Sequence, residues 1–211
     1  MKKQLLGVAL SALLVASAAE ARFHGGFIGA RAGYDWTSLK LKGTAANTAK
    51  PSFSPSGWNA NLEGGYLHES GSFLMGGDVR VGYDFSSSSK KTVTLSGNTG
   101  SVEIKDQWNA GIGFLIGGEF AHDWLGYFRL GLSYDNYKTN SSVVTGGSAK
   151  KFHAWAVVPG VGVKMKIDRD WSVDAEYSYS HALSASNPSG SIKLDKKPTA
   201  NSIKIGVSYY L

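Results

Sequence analysis

The segment Ile203-Lys204-Ile205-Gly206-Val207-Ser208-Tyr209-Tyr210-Leu211 sets Ile203, Ile205, Val207, Tyr209 and Leu211 on one face of a strand. Lys204, Gly206, Ser208 and Tyr210 fall on the other. Successive side chains of a strand point to opposite sides, so this strand has one apolar face and one polar or small face. A barrel closing in a bilayer needs that pattern, apolar toward lipid and polar inside, because its backbone groups pair strand to strand and leave no edge. The pattern recurs upstream and makes the feature an architecture.

Eight alternating segments are legible, at about 26–40, 58–67, 72–85, 107–120, 124–137, 152–167, 171–181 and 203–211. In the third, Phe73, Met75, Val79, Val81, Tyr83 and Phe85 oppose Gly76, Asp78, Arg80, Gly82 and Asp84. The connections alternate between short (68–71, 121–123, 168–170) and long (41–57, 86–106, 138–151, 182–200). That rhythm predicts tight periplasmic turns and long extracellular loops, with both chain ends on the periplasmic side. Trp124 and Trp171 start strands on the turn side, and Trp36, Trp58, Trp108 and Trp155 lie near the loop ends. Rings of this kind form an aromatic girdle at the headgroup level. Within the second long loop, Thr92-Val93-Thr94-Leu95 and Ser101-Val102-Glu103-Ile104 flank Ser96-Gly97-Asn98-Thr99-Gly100. They read as a hairpin above the membrane or as a loop of weak strand character. Pro159 lacks a ladder donor and predicts a bulge in the sixth strand.

Residues 1–21 read as a secretory signal peptide: Lys2 and Lys3, an apolar core from Leu5 to Val15, and the small-x-small site Ala19-Glu20-Ala21. The cut is placed after Ala21, with Ala18 as the alternative. The apolar run is shorter than the ~20 residues of a spanning helix. Residues 22–211 then form one barrel domain exported through the Sec pathway. The chain has no Cys, which excludes disulfides and thiol chemistry. No second long apolar run exists, which excludes a helical membrane protein.

Charges inside the segments sort to the non-lipid face. Arg31, Arg80, Arg129, Lys164, Lys166 and Lys204 meet Asp35, Glu63, Asp78, Asp84, Glu119, Asp135, Asp174 and Glu176 there. An eight-stranded barrel is only wide enough for side chains to fill. Unpaired charges in it would cost several kcal/mol each. The lumen charges are therefore either a packed ion-pair plug or a switchable gate in a narrow pore. A second signal is basic: Lys40, Lys42, Lys50, Lys90, Lys91, Lys105, Lys138, Lys150, Lys151, Lys193, Lys196 and Lys197 all fall on the long-loop side. Only Glu103, Asp106 and Asp195 oppose them there. Such an outer face suits lipopolysaccharide phosphates, other outer-membrane lipids, or host surface glycans and proteins. Nucleic acid is excluded as a partner, since neither a recognition helix nor an aromatic RNA platform is present.

Catalysis finds little support. His68-Glu69-Ser70 resembles the His-x-Ser spacing of lipid A deacylases but falls in a short turn on the wrong side of the membrane. Ser180-His181 lies near the outer rim without an orienting acid, and His153 stands alone. The five His residues form no metal-ligand cluster, and no cofactor is implied.

Four stretches carry a resemblance. They are Gly25-Gly26-Phe27-Ile28-Gly29-Ala30-Arg31-Ala32-Gly33-Tyr34, Pro159-Gly160-Val161-Gly162-Val163-Lys164, Asp170-Trp171-Ser172-Val173-Asp174-Ala175-Glu176-Tyr177 and Ile205-Gly206-Val207-Ser208-Tyr209-Tyr210. The chain after its signal resembles the outer-membrane β-barrel family of OmpA-like transmembrane domains, OmpX/Ail-type proteins and opacity-type surface porins. The resemblance implies structural anchors, small pores, or surface adhesins and immune-evasion factors. It also implies a barrel assembly machinery that reads the C-terminal strand, although the family usually ends in Phe where this chain has Leu211. The expectation is an all-β, eight-stranded antiparallel transmembrane barrel in a Gram-negative outer membrane, monomeric and non-enzymatic. It would support envelope integrity and act outward through basic loops. A small porin is the alternative, and a lipid-modifying hydrolase the third reading. A soluble lipocalin-like barrel would need the Trp, Phe, Tyr and Val face turned inward, against the aromatic placement and loop rhythm.

Overall fold

The computed structural model describes residues 23–43, 52–54, 56–85, 89–95, 98–141, 150–185 and 192–211. Side chains are described within 23–38, 54, 56–85, 107–137, 153–184 and 197–211. The strands are β1 (Gly25–Gly43), β2 (Ser52–Phe53), β3 (Ser56–Ser70), β4 (Phe73–Asp84), β5 (Ser89–Leu95), β6 (Asn98–Ala121), β7 (Trp124–Ser141), β8 (Lys150–Lys166), β9 (Trp171–Ala185) and β10 (Ile192–Tyr210). Eight of them pair antiparallel in the order β10-β9-β8-β7-β6-β4-β3-β1. The ring closes where β1 meets β10, from Phe27 opposite Tyr210 to Gly43 opposite Ile192. The short β2 edges β1, and β5 folds back on β6.

The alternation sets inside and outside as the sequence predicts. Leu62, Ile112, Phe114 and Ile205 are exposed on the outer wall, while Arg31, Glu63, Asp78, Arg129 and Glu176 are buried inside. All six Trp of the expected girdle lie on the outer surface. Two tight turns join strands at one end, between the pairs Ser70–Phe73 and Ala121–Trp124. Each has a residue at positive φ, Gly71 at 63° and Asp123 at 65°. Glycine takes that region freely and Asp tolerates it.

Three expectations need correction. The strands outrun the predicted segments: β6 has 24 residues, where a tilted spanning strand needs ~9–11. Much of what read as long loop continues the ladder beyond the bilayer, because Thr, Val and Ile there keep the strand habit. The expected hairpin forms, but Leu95 pairs with Asn98, a tighter turn than the sequence suggested. Pro159 causes no bulge. Its register with Leu130 of β7 is continuous, and the pairs Val157–His181 and Gly160–Ser178 keep step on the β9 side. The irregularity sits at Trp155/Ala156 instead. A missing N–H interrupts one bond without adding a residue, so the strand stays in phase.

Candidate functional site in the barrel lumen and at its outer rim

Eight charged side chains meet at mid-lumen. Arg31 of β1 places Nε 2.7 Å from Glu63 Oε2, and its Nη1 lies 3.0 Å from both Asp174 Oδ2 and Glu176 Oε2. Arg80 of β4 donates to both oxygens of Glu176, at 2.7 and 2.9 Å, and its Nε lies 3.1 Å from Glu63. Arg129 of β7 forks onto Asp78, its Nε donating to Oδ2 at 2.7 Å. Lys164 of β8 reaches Asp174 at 3.8 Å and donates to Ser208 Oγ at 3.2 Å. Tyr127 donates its hydroxyl to Glu176 at 3.0 Å. The contacts of Arg31 and Arg80 with Glu63, and of Arg31 and Lys164 with Asp174, are ion pairs without hydrogen-bond alignment.

Four bases and four acids make the cluster formally neutral, with their side chains 0–8% exposed. Desolvation of this depth is tolerable only when each charge is matched by an opposite one. Bidentate guanidinium–carboxylate forks supply the strongest such bonds. The glycines make the space. A Cβ at Gly113 would lie 2.5 Å from Arg129 Cζ, and one at Gly206 would lie 2.7 Å from Arg31 Cγ. Thus β6 gives the cluster room and no charge.

The other predicted lumen residues lie apart. Asp35 and Lys204 border a cavity of about 100 Å³ on the outer side of the cluster, with Asp84 and Asp135, above Arg80 and Arg129. Lys204 stands opposite Glu176 in the register, yet Glu176 is taken by Arg80 and Arg31. Glu119 is buried near the turn end, away from the cluster. Sequence reasoning missed the turn-side floor, where Phe23, Phe27, Leu67, Leu74, Leu125 and Tyr210 pack together. The Phe23 N–H donates to Glu69 at 2.7 Å, and Lys166 Nζ sits 3.8 Å from the Tyr210 ring centre. The available signal was apolar residues at inward parity near the turns.

Of the basic positions, Lys197 is exposed and Lys50 lies outside the described residues. The backbones of Lys42, Lys90, Lys91, Lys150, Lys151 and Lys196 lie on strand extensions, and their side chains fall outside the described set. Ser180 borders the lumen cavity, whereas His181 is exposed on the outer wall beside Tyr179. Adjacent strand residues face opposite ways, so this pair cannot act as nucleophile and base. At the turn end His68 packs against His24, and Glu69 accepts from the Phe23 N–H.

A family model for the "Outer membrane protein beta-barrel domain" matches residues 6–210. The chain belongs to this family. It is an outer-membrane barrel protein of bacteria. Among solved structures it is similar to Neisserial surface protein A, NspA, at 14% identity, covering 89% of this chain and 97% of that one, with a TM-score of 0.53. A major outer membrane protein from Thermus thermophilus is 10% identical over 88% of this chain and 99% of its own, TM-score 0.51. At these identities the likeness is one of fold. No curated protein matches the chain.

Proposed function

We propose that this family member is a closed-lumen barrel that supports the envelope and acts at its outer face, where basic strand extensions and loops meet anionic surfaces in adhesion or immune evasion. The observation that carries the reading is the neutral charge cluster stacked on an aromatic floor, two barriers in series across the lumen. A wall so filled serves stability and display rather than flow. The sequence's concentration of Lys on the long-loop side, against Glu69, Asp123, Asp168 and Asp170 at the turns, supports outward work. The protein is proposed to be monomeric and non-enzymatic, with its last strand read by the barrel assembly machinery.

The test is conductance in a planar lipid bilayer, on protein shown folded by β-type circular dichroism. A silent bilayer, with binding to a soluble sulfated glycan that is lost on Lys→Gln changes at Lys42, Lys91, Lys150 and Lys197, is the expected result. Reproducible conductance steps that change with Arg80→Gln would sink this reading and favour a second, passage of small solutes. The cavity of about 100 Å³ above Arg80 and Arg129 supports that second reading as an outer vestibule.

A further inference from the structure

The cavity on the outer side of the lumen cluster has a charge balance of its own. Asp35 of β1, Asp84 of β4 and Asp135 of β7 face it together with Lys204 of β10. Arg80 and Arg129 bound it from below, but Glu176 and Asp78 already match their charges. Three carboxylates against one ammonium leave the cavity at a formal charge of −2. The cluster beneath it is neutral.

The oxygens around the cavity are unevenly satisfied. The Asp35 and Asp84 carboxyl groups are in hydrogen-bond contact, although β3 stands between their strands. Two carboxylates this close need a proton or a cation between them. Asn109 fixes one of them, its Nδ2 donating to Asp84 Oδ2 at 3.0 Å. Asp35 stands opposite Ser202 where β1 meets β10. Asp35 Oδ1 and Ser202 Oγ are both buried atoms with no hydrogen-bond partner. Ser202 is 7% exposed and lines the cavity. A buried polar atom is costly to leave unbonded, so a hydroxyl and a carboxylate oxygen orphaned at one register position mark a shell that lacks its centre.

The donor chemistry selects the occupant. Carboxylate and hydroxyl oxygens are hard ligands, suited to Mg²⁺ and Ca²⁺ rather than to softer metals. A divalent ion brings the cavity to neutrality, and a monovalent ion does not. Among the described residues no three Asp, Glu or His side chains are placed to hold one ion together. Two carboxylates and retained water are therefore the available shell, as is common for Mg²⁺. The cavity of about 100 Å³ has room for an ion with several waters.

We propose that this cavity binds one hydrated divalent cation, Mg²⁺ or Ca²⁺, between the Asp35 and Asp84 carboxylates, with Ser202 Oγ and water completing its shell. The ion ties the β1–β10 closure to β4 across the barrel mouth. It stabilises the folded barrel by mass action, because the unfolded chain has no such site. The inference goes beyond the closed-lumen reading and does not depend on it, since the cavity lies outside both barriers.

The experiment titrates magnesium chloride and calcium chloride separately into the folded full-length barrel, in non-ionic detergent free of lipopolysaccharide and with sodium chloride in excess. Calorimetry is expected to show saturable binding of one ion per barrel. Asp35→Asn and Asp84→Asn are each expected to lose about tenfold or more in affinity. Ser202→Ala is expected to lose about threefold. The control Asp168→Asn with Asp170→Asn, at the turn end, should stay within about twofold of the wild type. Thermal unfolding gives a second readout that a merely structural carboxyl pair would not move. The divalent salt should raise the melting midpoint of the wild type, reversibly on chelation, and leave that of both Asp→Asn variants unchanged. If Asp84→Asn does not fold, Asp35→Asn carries the test alone. Absence of saturable binding in the wild type would mean that the two carboxyls share a proton, and would overturn the site. Equal losses in the control and the site variants, or binding abolished by sodium chloride, would overturn it as well.

Discussion

Glu176 holds the lumen cluster together, accepting from Arg80 twice, from Arg31 and from Tyr127. Glu176→Gln keeps its shape and removes its charge, leaving two buried guanidinium groups short of an anion. Breaking a buried pair on one side costs about 3–5 kcal/mol. Unfolding in denaturant, followed by Trp fluorescence, should show a loss of that size; a change under about 1 kcal/mol would mean that the cluster is solvated and not a structural element. Gly113 sits under the Arg129 guanidinium, which Asp78 pins from the other side. Gly113→Val is therefore overpacking, expected to cost about 1–3 kcal/mol in the same assay. These pairings were not legible in the sequence. Alternation shows which charges face inward, but Lys204 faces Glu176 in the register and still does not hold it, because side-chain reach across the lumen decides the partner.

At the scale of the strand, β8 is the informative element. Pro159 keeps register with Leu130 while leaving a donor missing toward β9. Pro159→Val restores an N–H at a lipid-facing position where a branched side chain fits. We expect a gain of about 0.5–1.5 kcal/mol in unfolding free energy. A loss would show that the β9 neighbours are adapted to the ring. The strand ends teach a related lesson. Period-two patterning marks a strand only where one face meets lipid and the other the lumen. Beyond the bilayer both faces of a strand are wet, the contrast fades, and the extensions of β6, β7 and β10 read as loop.

For the whole molecule, the proposal of a closed lumen makes the charge cluster and the floor two barriers in series. Phe23→Ala opens the floor but leaves the charge cluster, and Asp78→Ala with Arg129→Ala opens the cluster but leaves the floor. Each variant should remain silent in a planar bilayer, and only their combination should conduct. Conductance in Phe23→Ala alone would show that the cluster is no barrier. The floor connects to the cluster through Lys164, whose Nζ is 5.0 Å from the Phe27 ring centre and within ion-pair distance of Asp174. Cation–π contacts of this kind are worth about 0.5–2 kcal/mol and stiffen the junction between the layers.

The sequence by itself determined the eight barrel strands, their antiparallel order and which face of each is apolar. Each follows from nearest-neighbour backbone geometry and a period of two. Only the tertiary structure decided which acid meets which base and where the aromatic floor closes. Those facts depend on barrel closure and on register between strands distant in the chain. A one-residue slip that leaves the alternation of a single strand unchanged moves every cross-strand partner.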